Sequence, residues 1–219
     1  RKPVSPDTLF ELGSISKTFT VTLAGYAEAS GKLSLGDSPA KYVPELQGSA
    51  FAKTTLINLA THTSGGFPLQ VPDAVQDTAQ LMAYLKAWTP QYAPGTHRTY
   101  ANPSIGMLGV VAARSLGQPY VAALEQGLFP KLGLRSTYVN VPPEKMPDYA
   151  WGYNKQNAPV RVNPGVLADE AYGVKSTARD MIRFVEVNLG VAPVDAAIQR
   201  AIAATHTGYY QLGAMTQDL

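Results

Sequence analysis

The 219-residue sequence contains no cysteine, which excludes disulfides and cysteine-based metal sites. Charged residues are also scarce, at 16% of the chain, and no apolar stretch is long enough to span a bilayer. The opening residues, RKPVSP, lack the apolar core of a signal peptide, as if the chain continued a longer protein. With 45% hydrophobic residues the chain can bury a sizeable core, so we expect a globular protein.

Neither the charge nor the histidines of the chain indicate a macromolecular partner or a metal. The formal net charge of +2 is spread without a basic run, which argues against nucleic acid and anionic membranes as partners. His62, His97 and His206 show no pairwise spacing typical of metal ligands, and we interpret each as a surface or packing residue. We therefore expect a small-molecule substrate and neither metal nor cofactor.

The stretch LFELGSISKTFT, residues 9–20, predicts a strand that breaks at Gly13 and turns into a helix carrying Ser14. Residues three apart share a helical face, so Lys17 can reach the Ser14 hydroxyl. A serine hydroxyl is a poor nucleophile at neutral pH, and a nearby base and cation activate it. A helix start also leaves backbone N–H groups available to a developing oxyanion. The pattern marks Ser14 as a candidate nucleophile; taken alone, it also fits a plain helix N-cap.

Hydrophobic spacing predicts several further helices and two polar segments between them. The predicted helices cover residues 14–30, a short segment around Leu56–Leu59 capped by Thr54 or Thr55, 78–88, 103–117, 120–128, a segment from Thr177 to Leu189, and 195–204. Gln70 is a polar residue just after a Gly-rich turn, and Tyr100-Ala101-Asn102 precedes the helix that Pro103 opens. Thr177 and Asp180 predict a helix-capping box, and no glycine follows Lys175-Ser176-Thr177.

The C-terminal half has a different character. β-branched and aromatic residues between Ser136 and Val162 predict short strands with long connections. Residues 163–173 form a polar loop that includes Tyr172, and loops of this kind often line binding sites. The chain therefore predicts an α/β (α+β) fold: a helical region with Ser14 at its edge beside an antiparallel sheet, and a site between them.

These segments together resemble the class C, cephalosporinase-type serine β-lactamases. The matches LFELGSISKTFT, LATHTSGGFPLQVPD, YAPGTHRTYANPSIG, VNVPP and AYGVKST extend the resemblance over nearly the whole chain. Two of the three signatures of that family are present, S-x-x-K at residues 14–17 and Y-x-N at 100–102, and K-T-G is absent. The S-D-N motif of class A relatives is absent too. The resemblance implies a partial catalytic domain, with strands before Arg1 and a K-T-G strand after Leu219, so that the sheet is incomplete here.

The resemblance also implies roles for the matched residues. Ser14 would be the acylated nucleophile, Lys17 its lysine and Tyr100 the proton relay, and whether Lys17 or Tyr100 takes the proton first stays open. The implied substrate contacts are Gln70 and Asn102, which would hydrogen-bond the amide side chain of the substrate, and Tyr172, which would form an aromatic wall.

The implied activity is metal-independent hydrolysis of cephalosporins and penicillins through an acyl-serine, in the periplasm, by an enzyme that is monomeric when complete. A penicillin-binding D-Ala-D-Ala peptidase or a family esterase would share the fold and the motifs. From a different class, the chain could be an inactive fragment that only binds ligand or does not fold. The missing K-T-G strand, which in the family supplies an oxyanion donor and recognises the substrate carboxylate, favours low activity of the 219 residues alone.

Overall fold

The computed structural model describes residues 3–219 as helices with short pairs of strands. The helices are α1 (Ser16–Ala29), α2 (Leu56–Ala60), α3 (Thr78–Ala87), α4 (Asn102–Ser115), α5 (Tyr120–Ala122), α6 (Phe129–Leu132), α7 (Ala168–Tyr172), α8 (Ala178–Asn188) and α9 (Ala196–Thr205). The strands are β1 (Phe10–Glu11), β2 (Gly152–Tyr153), β3 (Pro159–Val160), β4 (Lys175–Ser176), β5 (Gly208–Leu212) and β6 (Met215–Asp218). Within the described residues, no helix is both long and apolar enough to cross a membrane.

Helix α1 lies at the centre of the core and packs against α4, α7 and α9. Its Phe19 is fully buried, and the Phe19 ring lies 5.3 Å from that of Phe129 and 4.5 Å from that of Phe184, measured between centroids. At the crossing with α9, a Cβ on Gly25 would lie 2.9 Å from the Ala201 carbonyl oxygen. Only glycine therefore allows α1 and α9 to approach this closely. Helix α1, which follows Ser14 in the chain, is thus fixed in place by α4, α7 and α9.

The strands of residues 3–219 form three separate antiparallel pairs, β1–β4, β2–β3 and β5–β6. In the first pair Phe10 is opposite Ser176 and Glu11 is opposite Lys175. This pairing joins the strand before Ser14 to the strand before α8, more than 160 residues later. It places the polar loop that ends at residue 173 next to the start of α1.

Two helix predictions need correction at their ends. The helix predicted from residue 14 begins at Ser16, because residues 13–15 form a tighter 3₁₀ turn. Gly13 has φ +54°, which breaks the strand and directs the chain into this turn. The helix predicted for residues 120–128 continues as a π-helical stretch, Ala123–Leu128, into α6.

The predicted strand-rich segment, residues 136–162, contains fewer strands than expected, namely β2 and β3. Much of the rest is irregular, and Pro143–Asp148 form a 3₁₀ helix. The prolines explain the difference, since a proline cannot donate to a strand ladder and this helix has Pro143 at its start and Pro147 inside. The hairpin formed by β5 and β6 was not predicted.

The helix start predicted at Thr177 is confirmed, but the capping box is only half formed. Thr177 Oγ1 accepts a hydrogen bond from the Asp180 N–H at 3.2 Å, and α8 begins at the next residue, as predicted. The Asp180 carboxylate bonds elsewhere: its Oδ2 accepts from the Ser136 N–H and the Thr137 hydroxyl, both at 2.7 Å. Asp180 therefore joins α8 to the segment after α6.

Candidate active site

Ser14 and Lys17 form the centre of the candidate site. Ser14 lies in the 3₁₀ turn that leads into α1 and is exposed, whereas Lys17 lies in the first turn of α1 and is only 7% exposed. Lys17 Nζ donates a hydrogen bond to Ser14 Oγ at 3.0 Å. An exposed hydroxyl is thus held against a buried amine, which is the arrangement that an activated serine nucleophile requires.

Tyr100 lies against the same lysine. Lys17 Nζ is 4.9 Å from the centroid of the Tyr100 ring, and Arg98 Cζ is 6.0 Å from it. Tyr100 as a whole is 36% exposed, so part of the residue is open to solvent. The described structure therefore brings Ser14, Lys17 and Tyr100 together from segments more than 80 residues apart in the sequence.

The electrostatic environment of Lys17 favours its neutral form more than water does. Burial lowers the pKa of the Lys17 ammonium below its usual value, and the neighbouring Tyr100 offsets part of this effect. A lysine with a lowered pKa gives up its proton more readily than a free lysine, and its neutral amine can then act as a base. The geometry and the charge together allow Lys17 to act as a base or as a cation at Ser14.

Two side chains of α1 hold the segment of residues 171–174 against the site. Lys17 Nζ donates a second hydrogen bond to the Ala171 carbonyl at 2.8 Å. The Ser16 hydroxyl oxygen accepts from the Val174 N–H at 3.0 Å. The backbone on both sides of Tyr172 is therefore fixed to the helix that carries Lys17.

A buried hydroxyl pair extends this connection one turn further along α1. The Thr20 hydroxyl donates to the Glu170 carbonyl at 2.6 Å and lies 2.7 Å from the Tyr120 hydroxyl. Because Thr20 has only one hydroxyl hydrogen, Tyr120 is the donor in the second bond. Burial raises the pKa of the Glu170 carboxyl to about 7. Behind the site, the hydroxyls of Thr20 and Tyr120 and the Glu170 carbonyl therefore satisfy one another's hydrogen bonds.

Gln70 and Tyr172 line a cleft of about 450 Å³. Its other lining residues are Val71, Pro72, Asp73, Val75, Gln76, Asn163, Pro164, Gly165 and Val166. Ser14, Lys17 and Tyr100 are outside this lining, so the structure does not gather all the predicted site residues in one pocket. The cleft is connected to the serine through Lys17. Tyr172 directly follows Ala171, and Lys17 bonds to both the Ala171 carbonyl and the Ser14 hydroxyl.

Asn102 is the first residue of α4 and is buried. Its N–H donates to the Leu69 carbonyl at 2.9 Å, which ties the segment before Gln70 to the Tyr100–Asn102 segment. Its side-chain oxygen is buried and has no hydrogen-bond partner among the described residues. A buried amide oxygen without a partner costs free energy, so this acceptor fits a donor that a ligand or a small movement supplies.

The residues that support the site were not predicted from the sequence. Thr20 lies one turn after Lys17, and this spacing was the only signal that it shares the same helical face. Glu170 and Ala171 lie in the polar loop predicted to line a site, but their bonds to α1 were not predicted, because these contacts span about 150 residues. His62, predicted to be a surface or packing residue, is buried beside Tyr100. Within residues 3–219, no group of three or more His, Asp and Glu residues is placed to hold a metal ion.

Comparison with known proteins identifies the family of this chain. The family model described as Beta-lactamase matches residues 1–219, and the chain belongs to this family. A β-lactamase of Lysobacter lactamgenus is 56% identical over 99% of this chain and 56% of its own length. The chain thus spans little more than half the length of that curated relative.

Solved structures extend the comparison to the fold. A "Beta-Lactamase/D-Alanine Carboxypeptidase" from Pseudomonas syringae has a TM-score of 0.97 and 62% identity, covering 100% of this chain and 61% of that one. A class C β-lactamase in complex with cefoxitin has a TM-score of 0.96 and 52% identity, covering 99% of this chain and 61% of that one. These likenesses confirm the predicted fold class and the predicted resemblance to class C enzymes.

Proposed function

We propose that the full-length gene product that contains this chain hydrolyses β-lactams through an acyl-Ser14 intermediate. The observation that carries the proposal is the hydrogen bond of 3.0 Å between Lys17 Nζ and Ser14 Oγ, made by a buried lysine beside Tyr100. The family membership and the cefoxitin complex of a relative support a β-lactam as the substrate. We place the enzyme in the periplasm and expect it to be monomeric, following the resemblance.

The proposed reaction has two steps. Ser14 Oγ attacks the β-lactam carbonyl carbon while its proton passes to Lys17 Nζ or to the Tyr100 oxygen. The ring C–N bond then breaks, the ring nitrogen takes up a proton, and an ester on Ser14 remains. Water attacks this ester and releases the ring-opened acid and free Ser14. The backbone N–H of Ser14 is one proposed donor to the oxyanion.

The other three predicted residues would bind the substrate. Asn102 has a buried acceptor without a partner, which suits the amide N–H of a β-lactam side chain. Gln70 and Tyr172 line the adjoining cleft, where they would contact the same side chain. No step of this mechanism requires a metal ion.

Intact-mass spectrometry with a slowly released β-lactam tests the proposal. We expect one adduct on the wild-type protein, mapped by peptide digestion to Ser14, and none on Ser14→Ala. Ser30→Ala is a matched control, because Ser30 is an exposed serine at the other end of α1. An adduct on any other residue, or hydrolysis that a chelator abolishes, would contradict the proposal.

A D-alanine peptidase is the second candidate, because the Pseudomonas syringae relative is described with both activities. Turnover separates the two functions: a β-lactamase releases its acyl group to water quickly, whereas a peptidase stays acylated. A stable penicillin adduct together with cleavage of a peptide ending in D-Ala-D-Ala would establish the peptidase. Fast hydrolysis of a chromogenic cephalosporin would establish the β-lactamase.

We also propose that residues 1–219 are part of a longer catalytic domain. The chain lacks a K-T-G motif, and losing one oxyanion donor typically costs a factor of about 10² to 10³ in rate. Phe10, Ile15 and other large apolar side chains are also exposed, which favours aggregation of the isolated chain. A soluble 1–219 protein with a rate within tenfold of a full-length relative would show that this proposal is wrong.

A further inference from the structure

His62 lies next to the candidate site but is not one of the residues predicted to form it. It follows α2 and precedes the turn Thr63–Gly66, and it is 5% exposed. Its backbone has φ +60°, a left-handed conformation that asparagine and histidine adopt more readily than most residues. The conformation restricts the backbone of His62, and burial restricts its side chain.

Three contacts join His62 to the residues around Tyr100. The His62 carbonyl accepts from the Thr99 N–H at 2.8 Å, and His62 Nδ1 accepts from the Ala101 N–H at 3.2 Å. Between these two bonds, the imidazole ring packs on the Tyr100 ring with centroids 4.5 Å apart. A single residue thus contacts three consecutive residues whose middle member is the tyrosine of the site.

The surroundings of His62 keep its Nδ1 available as an acceptor. Burial, followed by the nearby charges of Arg98 and Lys17, lowers the pKa of His62 to about 3. The imidazole is therefore neutral at neutral pH. Because Nδ1 accepts from Ala101, the hydrogen of the neutral ring lies on Nε2.

We propose that His62 is a positioning residue that holds the Tyr100 ring at the distance from Lys17 and Ser14 that proton transfer requires. This inference rests on the proposed function, because it gives Tyr100 a part in the reaction. His62 does not itself move a proton. Its Nδ1 and its carbonyl fix the backbone on both sides of Tyr100, and its ring limits where the phenol can lie. A misplacement of about 1 Å can cost a factor of ~10² in rate, so such a support has a measurable effect.

Three substitutions in the full-length gene product separate these contacts. His62→Asn keeps an acceptor at the position of Nδ1 and tolerates φ +60°, but removes the ring. His62→Phe keeps a ring and removes the acceptor, and His62→Ala removes both. We expect kcat on a chromogenic cephalosporin to fall about 100-fold in His62→Ala and about tenfold or less in the other two, with KM changed less than threefold.

The matched control is His97→Ala. His97 stacks on Tyr92 with centroids 4.0 Å apart, so this variant removes a similar histidine–tyrosine contact from the same loop. It should leave kcat within twofold of wild type. A double variant adds a second check, because His62→Ala should cost little more once Tyr100→Phe has removed the phenol hydroxyl.

A measurement without substrate keeps this inference separable from the proposed activity. In protein labelled with ¹³C at the tyrosine ring, the resonance missing from Tyr100→Phe identifies Tyr100. We expect it to shift in His62→Ala and to lie nearer wild type in His62→Asn, even if the wild-type protein hydrolyses nothing. An unchanged Tyr100 resonance in His62→Ala, a loss confined to KM, or additive losses in the double variant would overturn the inference.

Discussion

Two regions of the molecule use polar side chains in opposite ways. In the helical region, Ser16, Lys17 and Thr20 of α1 are buried and bond to backbone atoms 150 to 158 residues away. In the hairpin region of β2 and β3, the guanidinium of Arg161 bonds to carbonyls only 11 and 12 residues away. The buried side chains of α1 depend on the whole fold, whereas the guanidinium of Arg161 depends on carbonyls close to it in sequence. A change at α1 should therefore affect both stability and activity, and a change at Arg161 should affect stability alone.

The largest expected effect is that of Lys17→Ala. The substitution removes the hydrogen bonds to Ser14 and to the Ala171 carbonyl, so we expect the hydrolysis rate to fall by about 10³ to 10⁴, as for loss of an acid–base group. Steady-state kinetics on a chromogenic cephalosporin would measure this. Lys155→Ala, at an exposed lysine of the hairpin region, should leave the rate unchanged. Equal losses in both variants would remove the contrast between the regions.

Thr20→Val tests the support behind the site with a change of nearly equal volume. It leaves the Tyr120 hydroxyl and the Glu170 carbonyl without a shared partner, which we expect to lower the free energy of unfolding by about 2–3 kcal/mol. Activity should fall as well, because residues 170–174 lose one of their ties to α1. Thr18→Val is the control, since Thr18 is exposed and its hydroxyl bonds only three residues back, to the Ile15 carbonyl. Denaturant unfolding that cannot distinguish the two variants would contradict the prediction.

Glu170→Gln should change stability in a pH-dependent way. Burial is the main cause that raises the pKa of this carboxyl from 4.5 to about 7, with Asp169 adding to it. Between these two values the folded protein holds a proton that the unfolded chain releases, so the contribution to stability is lost as pH rises from about 4.5 to about 7. The uncharged glutamine avoids this loss, and we expect a gain of about 3 kcal/mol at pH 8 and little change at pH 4. Melting curves at both pH values would check it, and a gain that is equal at both would be inconsistent with a buried titrating carboxyl.

The smallest expected effect on activity is that of Arg161→Ala. The guanidinium carbon of Arg161 lies 3.3 Å from the ring centroid of Tyr149 and 4.0 Å from that of Trp151. Loss of this stack and of two hydrogen bonds should lower stability by about 1–2 kcal/mol while kcat and KM stay within twofold. Comparing melting temperature and kinetics of the same preparation measures both. A large loss of kcat would mean that the hairpin is coupled to the site.

Prediction from sequence succeeded where the signal was local. Ser14 and Lys17 are three residues apart, so helical spacing was enough to predict their contact. Thr177 was recognised as a helix cap for the same reason, since its partner is the N–H of Asp180. The strands expected between residues 136 and 162 were overstated, because residue propensities do not show whether a neighbouring strand is present to pair with.

The sequence by itself determined the family, the Ser-x-x-Lys pair, the Tyr-x-Asn segment and most of the helices, because these depend on short spacings and on side-chain chemistry. Only the tertiary structure decided that Lys17 also bonds to Ala171, that His62 lies under Tyr100, and that Gln70 and Tyr172 share a cleft. These contacts join residues dozens to more than a hundred positions apart. The folded backbone must be in place before such groups can meet, and no local pattern records which of them will do so.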